Sequence, residues 1–147
     1  ESNRNGSDPL NYDNNYRSIR YSDVLLMAAE AAAQSGGVNA ISYLNQVRNR
    51  AFGNNSHDYP YNGESDLLVA IADERRIEFA GEGHRFFDLV RTGKAKEAFD
   101  NYNATRPDQT AETANNFEEN KNEIFPIPLV ELELANAINT WGQNPGY

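Results

Sequence analysis

The stretch ERRIEFAGEGHRFFDLVRTGK, Glu74 to Lys94, constrains this chain more than any other. An ordinary surface helix keeps its charged residues away from its apolar ones, and this one does not. The helix entering the stretch is expected to begin at Ser65, a good N-cap type, with Asp66 in the first turn where the helix dipole favours negative charge. Leu67, Leu68, Ile71 and Ala72 then recur at helical spacing. Extending that stripe by three and four residues lands on Arg75, Glu78 and Phe79. Arg75 and Glu78, three apart, are neighbours on a helix surface. A buried charge without a partner is too costly to persist, so the spacing predicts an internal ion-pair network. Arg85, Asp88 and Arg91 on the following helix are its expected further members. Docking of two helices accounts for such a network better than a chemically active site does, because structural networks also hold perturbed charges.

The rest of the chain reads as helices and loops. Residues 1–20 are polar and Asn-rich and are expected to be a linker or coil, with residues 21–147 forming one helical domain. Ser22 or Asp23 can cap a helix through VLLMAAEAAAQ to about Ser35, stopped by Gly36 and Gly37. Asn39 can cap a second, Ala40 to Ala51, with Ile41, Leu44, Val47 and Ala51 on one face. The short connection predicts an antiparallel hairpin. Residues 52–64 read as a turn-rich loop. The third helix runs from about Asp66 to Ala80 with Gly81 as its C-cap, and a fourth spans His84 to Arg91. A short helix, Lys94 to Asp100, follows, and residues 101–123 read as a long loop. Ile124-Phe125-Pro126-Ile127-Pro128 is apolar but interrupted by prolines, hence extended. It is expected to lie across the core as a clasp, with Trp141 covering core as a tail anchor. Pro128 suits the first turn of a last helix, Leu129 to Ala137. The fold class is therefore mostly α: tetratricopeptide-like hairpins, an α-solenoid fragment, with long loops and one extended proline-containing segment. The spacing of the two hairpins exceeds the tetratricopeptide period of about 34 residues, and the 52–64 loop is the excess.

Composition narrows the function classes. With 147 residues the chain can bury a real core. Its net charge of −9 argues against nucleic acid as a partner. Seven carboxylates against one lysine lie between Asp108 and Glu133, and a solvated acidic face explains them better than a cation loop, since the EF-hand pattern is absent. With no cysteine there is no thiolate ligand or cysteine nucleophile. No run reaches the roughly 20 apolar residues of a spanning helix.

Candidate sites are few. Sugars stack their apolar faces on aromatic rings while amides and carboxylates take their hydroxyls. Tyr59, Tyr61 and Asn62 in the 52–64 loop offer that chemistry, and Tyr102 forms a second, smaller set with its Asn neighbours. Tyrosines packing on their own scaffold explain these residues at least as well. His84 and Asp88 share a helix face, but no metal-ligand spacing of known type occurs, so neither metal nor cofactor is expected. Glu74 and Glu78 could be imagined as acid and base, yet arginines on the same helix would hold both ionised, whereas a general acid needs the opposite shift. No nucleophile elbow or phosphate loop is present.

Five segments occur in an order that resembles a known family: RYSDVLLMAAEA (Arg20 to Ala31), LNQVRNRA (Leu44 to Ala51), ERRIEFAGEGHRFFDLVRTGK, IFPIPLVELELA (Ile124 to Ala135) and QNPGY (Gln143 to Tyr147). Each is weak alone; together they cover most of the chain and resemble the C-terminal region of the SusD/RagB family of nutrient-binding outer-membrane lipoproteins. The closing pentapeptide is similar to the family's usual C-terminus. The resemblance implies a helical, non-catalytic binding protein on the cell surface, tethered to the outer membrane by a lipidated cysteine that this chain does not contain. It implies an oligosaccharide or other nutrient as ligand and a TonB-dependent outer-membrane transporter as partner. The family's ligand-contacting aromatics lie mainly outside the matching region, so no binding residue is carried over. The alternative is a helical-repeat scaffold for protein–protein interaction without a small-molecule ligand.

Overall fold

A computed structural model describes residues 18–60, 64–106, 110, 116–136 and 141–147, with the backbone alone at 64, 65 and 136. Among these residues all regular structure is helical: α1 (Tyr21–Gln34), α2 (Ala40–Phe52), α3 (Glu64–Glu78), α4 (His84–Arg91), α5 (Ala95–Ala104) and α6 (Leu129–Asn136). The expected helical hairpin class holds. The chain divides into two compact units, Glu1–Ala80 and Gly81–Tyr147.

In the first unit α1 packs against α2 and α3, and α2 against α3. The α1–α2 connection is tight because the Gly37 N–H donates to the Ala32 carbonyl at 2.7 Å. Leu25, Leu26, Ala29 and Ala33 of α1 meet Ala40, Leu44 and Val47 of α2 and Leu67 and Ile71 of α3, with Phe79 closing the cluster. Leu26, Leu44 and Ile71 are almost wholly out of water, each stabilising the fold by about 1.5–3 kcal/mol relative to an exposed position. The α3 stripe is as spaced: Leu67, Ile71, Arg75 and Phe79 are buried, and Glu74 is buried beside them. Ala72 departs from it and turns to solvent; on α2, Ala51, expected on the buried face, is exposed while Ala40 at the other end is buried. α3 ends at Glu78, before the expected Ala80, so Gly81 is not its C-cap but lies in the turn that follows, at a φ of +82° that strains any L side chain.

In the second unit α4 packs against α5. α5 continues to Ala104, four residues beyond the expected Asp100. A Lys96–Asp100 pair one turn apart (2.9 Å) lies within the expected part of the helix, and the Thr105 N–H closes the extended end on the Asn101 carbonyl at 3.2 Å. The stretch expected as one long loop therefore starts as helix. It also contributes Phe117, buried and stacked on Phe99 with centroids 5.3 Å apart; residues 107–109 and 111–115 lie outside the described set. The Ile124–Pro128 segment is non-helical as expected. It is not the expected buried clasp: Ile124 and Phe125 are exposed and Ile127 only half-buried. Trp141 is exposed as well, so it does not act as a core-covering anchor.

Candidate functional site

The charged stripe of α3 is satisfied by residues from α1, α2 and the turn before α1. The Arg75 Nη1 donates to Asp23 Oδ1 at 2.6 Å, joining α3 to the first turn of α1. Arg48 of α2 donates from Nη1 to Glu74 Oε2 at 2.6 Å and from Nε to the His57 carbonyl at 2.7 Å. Glu78 receives two guanidinium groups. Arg50 Nη2 lies 2.7 and 2.6 Å from its two oxygens. Arg20 reaches Oε1 at 2.7 Å and the Glu78 backbone carbonyl at 2.8 Å. The Phe79 ring lies under both Arg20 and Arg75, 5.0 and 5.1 Å from centroid to guanidinium carbon, the geometry of a cation–π contact.

Burial pushes the Glu78 carboxyl up. Hydrogen bonds from Arg20 and Ser22 and the charges of Arg50 and Arg20 together outweigh it, and the pKa falls below the ordinary 4.5. A carboxylate held ionised in this way is a strut and a poor general acid, which needs a raised pKa. The members on the following helix lie in the second unit. There Arg85 is exposed, and Arg91 donates to Asp88 at 3.0 Å within one turn of α4.

A small open cleft of about 180 Å³ adjoins the network, lined by Arg20, Tyr21, Ser22, Leu25, Gln46, Val47 and Arg50. Pockets that enclose drug-sized ligands run to roughly 300–1,000 Å³, so this cleft is too small to enclose an oligosaccharide. Among the described residues no group of His, Cys, Asp and Glu is arranged to hold a metal ion, and no helix is long and apolar enough to cross a membrane.

Of the expected sugar-binding residues, Tyr59 and Tyr102 lie among the described residues. Tyr59 is half-buried against the first unit's core, and its N–H donates to Asn45 Oδ1 at 2.8 Å. Its loop is largely engaged with itself: His57 stacks on Phe52 at 3.9 Å, and Asn54 Oδ1 accepts the Ser56 N–H at 2.9 Å. Tyr61 and Asn62 lie outside the described residues. Tyr102 belongs to the second unit, partly exposed on α5, where Arg106 donates to its hydroxyl at 2.8 Å.

The sequence reading did not find the partners Arg20, Asp23, Arg48, Arg50 and Glu74. A signal existed. Arg48 falls four residues after Leu44 on the buried face of α2, and Asp23 falls three before Leu26 on that of α1. Neither Ser22 nor Asp23 caps α1, whose N-cap is Arg20, and the Asp23 carboxylate accepts from Arg75 instead.

A second set of contacts joins two sequence segments in the second unit. The Ile127 N–H donates to Gln143 Oε1 at 2.7 Å, and Gln143 Nε2 donates back to the Ile127 carbonyl at 2.9 Å, so the amide pairs with that residue as a neighbouring strand would. Asn144 Nδ2 donates to the Phe125 carbonyl at 2.7 Å and the Tyr147 hydroxyl to the Ile124 carbonyl at 3.1 Å.

Comparison with known proteins places these features. A model of the SusD family matches residues 1–147. SusD-like protein P2 of Formosa agariphila is 36% identical over 140 residues, 90% of this chain and 26% of that protein. SusD-like protein P25 of the same organism is 41% identical over 87 residues, 57% of this chain and 16% of that protein. A solved SusD homolog from Bacteroides thetaiotaomicron superposes with a TM-score of 0.76 at 31% identity, covering 88% of this chain and 26% of that one. A SusD superfamily protein from Bacteroides vulgatus gives 0.71 at 35% identity, covering 89% and 27%. The chain thus spans about a quarter of the length of P2 and of the two solved relatives.

Proposed function

The chain belongs to the SusD family, and on that premise we propose that it is a scaffold portion of a non-catalytic, glycan-binding protein of the bacterial outer surface. The longer protein captures an oligosaccharide or related nutrient and delivers it to a TonB-dependent outer-membrane transporter. Its membrane attachment lies in residues other than these. The observation that carries the reading is the family match over residues 1–147. Two features of the site support the scaffold role. The carboxylates and arginines of the first unit pair with one another between helices, and the adjoining cleft is too small to enclose a glycan. The Glu78 environment favours the carboxylate form, which suits a structural ion pair better than a general acid.

Co-purification tests the transporter arm. The longer protein, extracted from its outer membrane in mild detergent, is expected to bring down one large β-barrel transporter. Its recovery alone under those conditions, with glycan binding intact, would favour a free-standing binding protein. Loss of both partner and glycan binding would favour the alternative of a helical scaffold for other proteins.

A further inference from the structure

The cleft beside the charged network of the first unit has a charge opposite to that of the molecule. The chain carries a net charge of −9, yet among the described residues that line the cleft two are arginines and none is acidic. Arg20 and Arg50 both bind Glu78, so two guanidinium groups share one carboxylate. Arg50 is the more open of the two, with 59% of its side chain exposed against 28% for Arg20. It gives Glu78 only Nη2, which lies 2.7 and 2.6 Å from the two oxygens. A guanidinium has donors on all three nitrogens, and among the described residues the Nε and Nη1 groups of Arg50 have no acceptor. The Glu78 contact also holds this long side chain in one place, so a ligand meets an arginine that is already ordered.

The remaining walls are apolar or neutral. Leu25 and Val47 supply buried aliphatic surface, Tyr21 an exposed aromatic ring and Gln46 an uncharged amide. A phosphate has no apolar part to set against such walls. A carboxylate with a short hydrocarbon tail uses both kinds of surface: a charge-assisted hydrogen bond from the arginine and apolar contact beyond it. At about 180 Å³ the cleft takes only a small molecule of this kind.

We propose that the cleft binds a small organic monocarboxylate, with the carboxylate on Arg50 and the short apolar tail against Leu25, Val47 and Tyr21. The binding is a property of the first unit and does not depend on whether the longer protein captures glycan.

Butyrate is the probe, and butyramide, of the same shape without the charge, is its control. Each is added to the isotope-labelled chain at constant ionic strength, and NMR follows the Arg50 Nε–H and the backbone amides of Gln46 and Val47. Butyrate is expected to shift these signals saturably, and butyramide to bind about tenfold or more weakly, because it forfeits the charge-assisted hydrogen bond. Gln46→Glu places a negative charge in the lining, one helical turn before Arg50, and leaves the Arg50–Glu78 contact in place. It is expected to weaken butyrate by about tenfold or more through like-charge repulsion. No saturable shift, equal binding of butyramide, the same shifts from chloride, or unchanged butyrate affinity in a folded Gln46→Glu variant would each overturn the proposal. Should the variant lose its fold, the butyrate, butyramide and chloride titrations of the parent chain decide the matter.

Discussion

Arg75 on α3 donates to the Asp23 carboxylate on α1 at 2.6 Å across 52 residues of sequence, with 6% and 8% of the two side chains exposed. Removing one partner leaves the other buried without this ion-pair contact. Asp23→Ala and Arg75→Ala are each expected to cost about 3–5 kcal/mol of stability in urea unfolding. Replacing both at once with Leu and Met should recover much of that loss, because a dry apolar pair of similar volume avoids the desolvation. Single variants within about 0.5 kcal/mol of the parent, the usual range for surface changes, would show that the pair is not desolvated.

Glu78 links acid sensitivity to the same cluster. Its folded pKa lies below the ordinary 4.5, so its contribution is present above that value and is lost as pH falls through the lowered folded pKa. Stability is expected to decline below pH 4.5, and Glu78→Gln should flatten that decline while lowering stability at pH 7. An unchanged pH profile in the variant would mean that other carboxylates carry the acid response.

The Gln143 side chain is expected to protect one backbone amide specifically. Gln143→Ala removes the acceptor of the Ile127 N–H, so hydrogen exchange at Ile127 should quicken by about tenfold or more while the first unit's core amides keep their rates. No change at Ile127 would mean that the tail does not hold the segment in solution.

Gly146 has φ +88°, and a Cβ there would stand 2.8 Å from two side-chain carbons of Lys121. Gly146→Ala combines left-handed strain with that clash, and should cost about 1–2 kcal/mol locally. The expected readout is faster exchange at Ile124 and Ile127, in the direction of the Gln143→Ala variant but through a different residue.

Much of this architecture was legible in the sequence, for reasons visible at particular residues. The four-residue spacing of Leu67, Ile71, Arg75 and Phe79 by itself puts charge on a buried face. Gly36 and Gly93 follow the ends of α1 and α4 because the left-handed conformation needed there is costly for other residues. Long-range pairing was harder to read. That Arg75 finds Asp23, and Glu78 finds Arg20 and Arg50, depends on how helices cross, which local periodicity does not encode. The proline segment misled for a similar reason: its apolar composition suggested burial, while its partners are the polar side chains of the tail. Of the candidate sugar contacts, Tyr59 is a packing residue of the first unit, and the character of its neighbours gave no indication of which way the ring would turn.

Affinity electrophoresis tests the central claim most directly, with this chain and the longer protein run side by side through gels containing soluble polysaccharides. The account predicts that at least one polysaccharide retards the longer protein while this chain migrates as it does in a plain gel. Retardation of the chain alone to the same degree would contradict the scaffold role, and free migration of the longer protein across a broad panel would contradict glycan capture itself.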